Sequence, residues 1–182
     1  MKSLQLSAPH IIAMVGVPGS GKTQFATEFA DMFHAPRLDS DILSELSSDS
    51  AAVDATAGTL LKELMKTRQT IVFEGATERR VWRAELMKLA QQAGYKVLFV
   101  WVQTDAATAK QRWLKAHRKD EVSFQHKLNQ FSAPHASEPY VVISGRHTYN
   151  TQARAVLTRL SATSRPSTAQ RVGPDLHGRA TT

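Results

Sequence analysis

The segment from Gly16 to Thr23 contains residue types that can bind phosphate groups. It reads GVPGSGKT, so three glycines, a proline and a serine stand before a lysine and a threonine. The spacing fits the G-x-x-x-x-G-K-[ST] pattern, whose glycines let backbone N–H groups converge on an anion. The lysine can contact the β- and γ-phosphates of a nucleoside triphosphate, and the threonine hydroxyl can ligate Mg²⁺. The predicted binding residues are Gly16, Val17, Pro18, Gly19, Ser20, Gly21, Lys22 and Thr23.

The elements on either side of this segment support the prediction. His10–Val15 is an apolar run that predicts a strand with both faces buried. Phe25, Phe29 and Phe33 recur at helical spacing after it. A helix that begins near Gly21 directs the positive end of its dipole at the same place. The alternative is a glycine-rich turn that binds nothing.

Apolar runs of strand length alternate with helical patterns along the rest of the chain. This alternation predicts an α/β fold with a largely parallel sheet. The predicted strands are 10–15, a short one within 36–41, 70–75, 95–102 and 140–144; the predicted helices begin near Gly21 and cover about 42–67, 82–93, 105–117, 124–131 and 153–160. The stripe expected to face the core in the second helix is Val53, Leu60 and Leu64.

Composition sets the limits of the domain and the class of partner. The chain has 182 residues and predicts one domain, 1–160, followed by a disordered tail, 161–182, whose composition cannot build a core. The net charge is +7; the tail has three arginines against one aspartate, so +2 belongs to the tail and +5 to the folded part. This excess favours anionic partners. The sequence has no cysteine and no run of about 20 apolar residues, and we expect a cytoplasmic protein with no membrane partner.

Carboxylates stand where two of the predicted strands end. Asp39 and Asp41 follow the second strand, and Glu74 ends the third. A carboxylate beside the phosphate loop can hold Mg²⁺ through water, so Glu74 joins Thr23 as a candidate metal residue. Alternatively, Asp39 or Ser40 is a helix N-cap with Asp41 in the first turn facing the helix dipole, and Glu74 is only a polar residue that leaves the sheet.

The sequence from Ile11 to Leu160 resembles the P-loop kinases of the polynucleotide kinase type, an AAA-like ATP-binding group that includes many predicted small-molecule kinases. The resemblance implies a P-loop NTPase fold, a three-layer α/β/α sandwich with a mainly parallel five-stranded sheet. It also implies ATP and Mg²⁺ as cofactors. Asp41 matches the aspartate that acts as base toward the acceptor hydroxyl in this family, and Ser44 stands in place of its arginine.

The resemblance assigns roles to several basic residues. Arg112 aligns with the first lid arginine, which balances charge on the transferred phosphate. The second falls on Ala116, so Lys115 or Arg118 would have to replace it. Arg146 is a candidate for stacking on the adenine base. Thr77 and Arg79 correspond to the loop that lines the acceptor. A solvated basic face is the alternative for the helix and a surface arginine the alternative for Arg146.

Four functions remain open on the sequence alone. The short acceptor region and Ser44 favour a kinase for a hydroxylated small molecule, whereas the basic folded part favours one for a polynucleotide 5′-hydroxyl. An ATPase or nucleotide-binding switch would need no acceptor, but no obvious glutamine is placed to orient water. A nucleic-acid-binding module is least favoured, because the basic residues are not interleaved with aromatic residues.

Overall fold

A five-stranded parallel sheet forms the centre of the protein in the computed structural model, which describes residues 6–116 and 120–164. The strands lie in the order β2-β3-β1-β4-β5, and every neighbouring pair is parallel. Their carboxyl ends therefore meet at one edge, where open α/β sheets bind ligands. The strands are β1 His10–Val15, β2 Arg37–Asp39, β3 Ile71–Glu74, β4 Lys96–Gln103 and β5 Tyr140–Ser144.

Helices connect the strands. They are α1 Lys22–Phe33, α2 Ser40–Ser44, α3 Ser50–Lys66, α4 Arg80–Gln92, α5 Ala106–Ala116, α6 Glu121–Gln130 and α7 Tyr149–Ser164. None of the helices in the described residues is long and apolar enough to cross a membrane.

The core lies on both faces of the sheet. Ile12 and Met14 of β1 pack with one cluster that includes Phe29 of α1 and Val156 of α7. The alternate residues of β1 pack with a second cluster formed largely by α3 and α4, including Leu61. Because successive strand residues point to opposite faces, a strand covered by helices on both sides must be apolar throughout. The structure confirms the predicted three-layer α/β/α fold.

The predicted helix over 42–67 is wrong as one continuous element. It is divided into α2 and α3, because the carboxylate of Asp49 caps a new helix by accepting hydrogen bonds from the N–H groups of Ala51 and Ala52. The predicted core stripe is also partly wrong. Leu60 is 40% exposed, since the buried face repeats every four residues from Val53 through Ala57, Leu61 and Met65.

The last helix extends past the predicted end of the domain. α7 continues to Ser164, four residues beyond the expected boundary at 160. The rest of the predicted tail, 165–182, lies outside the described residues, so its expected disorder stays a prediction.

A fully buried arginine joins two loops at the carboxyl edge of the sheet. Arg83 of α4 has no exposed surface, and its guanidinium forms a two-bond ion pair with Glu138, with distances of 2.7 and 3.1 Å. It also donates to the carbonyls of Thr77 and Glu78 in the β3–α4 loop and to those of Ser132 and Ala133 after α6. All five N–H groups of the side chain therefore have acceptors.

The partner carboxylate is ionised at neutral pH. Burial raises the pKa of Glu138, but the hydrogen bonds from Arg83 and from the backbone N–H of His135 outweigh burial and hold this pKa below its ordinary value. A carboxylate with a lowered pKa stabilises the folded state above its ordinary pKa, and this stabilisation is lost as the pH falls.

We expect Arg83→Ala to lower the free energy of unfolding by about 3–5 kcal/mol, because it leaves Glu138 buried without its counter-charge. Urea unfolding at neutral pH measures this loss. Lys88→Ala is the matched control, since Lys88 is an exposed residue of the same helix and its loss changes stability by less than about 0.5 kcal/mol. Glu138→Gln should make stability less sensitive to acidification, because the carboxylate that is protonated at low pH is absent. Equal losses of stability for Arg83→Ala and Lys88→Ala would contradict the structural role of the ion pair.

Candidate active site

The glycine-rich loop connects β1 to α1 in the conformation that the motif predicts. Gly19 and Gly21 have positive φ angles of 75° and 102°, and Gly21 stands immediately before the first residue of α1. The loop packs closely against α5: a Cβ atom on Gly19 would lie 2.1 Å from the carbonyl oxygen of Ala109. Only glycine fits there, so α5 fixes the position of the loop.

The side chain of Lys22 folds back over the loop. Its ammonium donates to the carbonyl oxygens of Gly16 at 2.9 Å and Val17 at 3.1 Å. Burial lowers the pKa of Lys22, and the carboxylates of Glu74 and Glu78 oppose this shift. The cation is thus held at the loop, where it can contact a bound phosphate.

Thr23 and Glu74 meet at the carboxyl edge of the sheet. The Thr23 hydroxyl donates to Oε1 of Glu74, although the two residues are far apart in sequence. Oε2 of Glu74 is buried without a hydrogen-bond partner among the described residues, and the Arg37 guanidinium lies 3.9 Å from it. Burial raises the pKa of Glu74, and the hydrogen bond from Thr23 opposes this shift. A hydroxyl beside a buried, incompletely bonded carboxylate fits a magnesium site.

The two aspartates after β2 have different environments. Asp39 is buried, pairs with Arg37, and accepts a hydrogen bond from the N–H of Asp41 at 3.0 Å as the cap of α2. The capping interpretation is confirmed for Asp39. Asp41 is exposed and lines the cavity. One carboxylate oxygen from each of Asp39, Asp41 and Glu74 lies within 4.8 Å of the others. Because Asp39 is occupied by the cap and by Arg37, Asp41 and Glu74 are the members of this group left to act on ligands.

Ser44 does not reach the cavity. Its hydroxyl donates to the carbonyl of Asp41 at 2.6 Å. The serine therefore stabilises its own helix and leaves the acceptor side without a basic group at this position.

One cavity of about 360 Å³ brings these groups together. The phosphate loop and the start of α1 form one wall, β3 and the loop after it form a second, and α5 and α6 form a third. The lining residues are Gly16, Pro18, Gly19, Gly21, Lys22, Thr23, Ser40, Asp41, Glu74, Gly75, Thr77, Glu78, Arg112, Trp113, Ala116 and Lys127.

The two candidate arginines, Arg112 and Arg146, lie in different cavities. Arg112 lines the cavity, and its guanidinium donates to the carbonyl of Gly145 at 3.3 Å. Arg146 lies outside this cavity; it is exposed, 3.9 Å from a carboxylate oxygen of Asp105, and borders a neighbouring groove with Val17. Since Val17 belongs to the phosphate loop, this groove adjoins the loop, and the expected stacking of Arg146 on an adenine base stays a prediction.

Of the other residues that the family resemblance assigned to the site, some line the cavity and some do not. Thr77 lines the cavity and donates to the Met14 carbonyl at 2.5 Å, whereas Arg79 stacks on Trp82 away from it. Lys115 is exposed and does not line the cavity. Arg118 lies outside the described residues.

Sequence reasoning did not assign four of the lining side chains to the site. They are Ser40, Glu78, Trp113 and Lys127. Trp113 directly follows Arg112 in sequence, which is a signal that could have identified it. Lys127 lies in a weakly amphipathic helix beside an apolar residue, and no spacing rule connects it to the phosphate loop.

Residues 11–137 match the protein family described as AAA domain. This match covers most of the chain and includes the phosphate loop, the carboxylates and both helices of the third wall. No curated protein matches the sequence.

Solved structures share the fold. A gluconokinase from Sinorhizobium meliloti 1021 has a TM-score of 0.66 at 18% identity, over 88% of this chain and 95% of that one. A sugar kinase from Janibacter sp. HTCC2649 has a TM-score of 0.63 at 23% identity, over 85% and 95%. Kti12 from Chaetomium thermophilum, in complex with ADP-AlF3, has a TM-score of 0.68 at 16% identity, over 87% and 100%. At these identities the likeness establishes the fold and not the activity.

We expect Gly19→Ala to weaken nucleotide binding and to destabilise the protein by about 1–3 kcal/mol, because the added methyl group meets the backbone of α5. Gly58→Ala is the control: nothing lies within 4 Å of a Cβ at Gly58, and alanine in this helix should stabilise by about 0.5–1 kcal/mol. Thermal unfolding and titration with a fluorescent ADP analogue measure both effects. Unchanged ADP affinity in Gly19→Ala would argue against the close packing of the loop.

Proposed function

Since this chain belongs to the AAA domain family, whose match covers residues 11–137, we propose that it is an ATP-dependent kinase that phosphorylates a hydroxyl group of a small molecule. One observation carries this proposal: Lys22 and Thr23 of the phosphate loop share a single cavity with Asp41, Glu74 and Arg112. An exposed carboxylate in the same cavity as the phosphate loop is a candidate base for an acceptor hydroxyl.

The nucleotide side of the proposed site consists of the loop and α1. The N–H groups of Gly16–Thr23 and the start of α1 bind the phosphates of ATP. Lys22 contacts the β- and γ-phosphates, while Thr23 and Glu74 hold Mg²⁺. When bound, the ion neutralises charge on the phosphate oxygens. The Arg112 guanidinium lies beside the phosphate loop, 3.8 Å from the position of a Cβ atom on Gly21, and stabilises negative charge on the transferred group.

The acceptor side consists of Asp41. Its carboxylate orients the acceptor hydroxyl and takes the proton as the hydroxyl oxygen attacks the γ-phosphorus. The bond between the γ-phosphorus and the β–γ bridging oxygen breaks, and ADP leaves with the electron pair. The products are ADP and a phosphate monoester, and the proton on Asp41 passes to solvent.

Two observations support a small acceptor over a polynucleotide. The cavity of about 360 Å³ includes the phosphate loop, so only part of a volume at the lower end of the range for small-molecule sites is left for an acceptor. Two structures with this fold are named as a gluconokinase and a sugar kinase. A polynucleotide kinase remains an alternative because of the basic folded part, and an ATPase or nucleotide-binding switch remains one because Kti12 shares the fold.

Transfer of label from γ-labelled ATP tests the proposal. The protein is incubated with ATP and Mg²⁺ and with one acceptor at a time: gluconate, glucose, glycerol, a 5′-hydroxyl oligonucleotide, or water alone. We expect label on a hydroxylated small molecule, and none with Lys22→Ala. Label on the oligonucleotide would establish the polynucleotide alternative. Release of free phosphate at an equal rate with and without acceptors would establish an ATPase and contradict the kinase assignment.

Asp41→Asn should lower the turnover of this transfer by about 10²–10⁴-fold, because the amide cannot accept the proton. Nucleotide affinity should change little, since Asp41 faces the acceptor. Steady-state kinetics and a separate ATP-binding titration distinguish the two effects. Asp54→Asn is the control, because Asp54 is exposed on α3 away from the cavity. A parallel loss of ATP affinity in Asp41→Asn would assign this aspartate to structure instead.

A further inference from the structure

Lys127 lines the cavity, but the roles assigned so far to the phosphate loop, the metal residues and the base do not include it. It lies on α6, and its ammonium is 3.7 Å from a carboxylate oxygen of Asp41 and 5.3 Å from the ring centroid of Trp113. The side chains of Lys127 and Asp41 are 41% and 71% exposed. An ion pair this exposed contributes little to stability, so the contact calls for a functional explanation.

The aromatic ring holds the ammonium in place. Trp113 is largely buried, and its indole N–H donates to the carbonyl of Asp120 at 3.0 Å. Asp120 in turn caps α6 through the N–H of Ser123, and the Trp113 ring packs on Phe124. One tryptophan therefore fixes the start of α6 and offers its face to the lysine that α6 carries. A cation over an indole ring is attracted to it, which limits the positions that the ammonium can occupy.

The geometry points to Lys127 as a further catalytic residue, whose ammonium stabilises the phosphoryl group during its transfer to the acceptor. This inference rests on the proposed kinase function. An acceptor hydroxyl that gives its proton to Asp41 must lie within about 2.6–3.2 Å of that carboxylate. The ammonium beside the same carboxylate is then a close neighbour of the attacking oxygen and of the phosphorus it attacks. Lys127 keeps its protons throughout, because Asp41 takes the proton of the hydroxyl.

The charges on the acceptor wall explain why a cation is required there. Asp41 and Glu78 line the cavity in addition to Glu74, which is assigned to the metal, and an ionised carboxylate repels an approaching phosphoryl group. Lys22 approaches from the phosphate loop and Arg112 from α5, so both lie on the nucleotide side. Lys22 and Lys127 both line this cavity, so the two lysines face the same space. Lys127 supplies positive charge from the acceptor side.

Binding of a transition-state mimic tests this role without knowledge of the acceptor. Aluminium fluoride with ADP and Mg²⁺ takes the place of the transferred phosphoryl group. We expect aluminium fluoride to tighten ADP binding by the wild-type protein, and Lys127→Met to reduce this tightening by about 10-fold or more. The affinity for ADP alone should change much less, because the contacts of Lys127 are with Asp41 and Trp113 and not with the phosphate loop. Lys127→Arg should keep most of the tightening.

Lys110→Met is the matched control. Lys110 forms an exposed ion pair with Glu121 at the start of α6, so this variant disturbs the same pair of helices without removing a cavity charge. It should bind ADP and aluminium fluoride as the wild type does. Circular dichroism of every variant checks that it is folded.

The outcomes separate this inference from the kinase proposal. Full tightening in Lys127→Met would overturn the role of Lys127 and leave the kinase proposal standing. If Lys127→Met weakens binding of ADP alone as much as it weakens binding with aluminium fluoride, Lys127 is a structural residue, and its proposed catalytic role is overturned as well. No tightening in the wild-type protein would also overturn it, since there would be no transferred-group site to stabilise. Failure of the wild type to bind ADP at all would overturn the kinase proposal itself.

Discussion

The buried ion pair between Arg83 and Glu138 is the interaction on which the walls of the cavity depend. A guanidinium without water needs an acceptor for each donor and a counter-charge, and this one has both. The acceptors come from two loops that are distant in sequence. Such a pair adds little to stability when compared with apolar residues of the same size. Removal of only one partner, however, strongly destabilises the fold, because it leaves the other charge buried and unpaired. Its value lies in fixing where the loops stand.

Those two loops belong to opposite sides of the site. The β3–α4 loop carries Thr77 and Glu78 in the cavity, and the loop held by the other carbonyls follows α6, which carries Lys127. Ser132 strengthens the same junction, because its N–H and hydroxyl both donate to the carbonyl of Glu78. The third wall is tied to the phosphate loop by the close approach of Gly19 to α5. Rigid contacts between backbones thus set the distances between groups that must act together.

The sequence predicts the parts of this site that are local. The phosphate loop, its strand and its helix are one continuous segment, so spacing alone identifies Lys22 and Thr23. The positions of Asp41 and Glu74 follow from the rule that strand ends meet at one edge of a parallel sheet. Leu60 was misplaced because several leucines in α3 fit a helical stripe, and only packing decides between Leu60 and Leu61.

The remaining features depend on tertiary contacts that leave no pattern in the sequence. In the sequence, Arg83 looks like a surface residue of an amphipathic helix. Its burial depends on the ion pair with Glu138, and no spacing rule connects the two residues. Lys127 reaches the cavity only because Trp113 fixes α6. Arg146 is exposed beside Asp105, on a groove that Val17 of the phosphate loop also borders, so its contact with an adenine base stays a prediction.

Burial disfavours the charged form of both Lys22 and Glu74 in the candidate site. It lowers the pKa of Lys22 and raises that of Glu74, so each group is less favourably ionised than in water, and each opposes the shift of the other. A bound phosphate supplies the charge that favours ionised Lys22, and a divalent cation supplies the charge that favours ionised Glu74. In the function we propose, the two ligands arrive as one complex, so this coupling would favour the metal–nucleotide complex over either component alone.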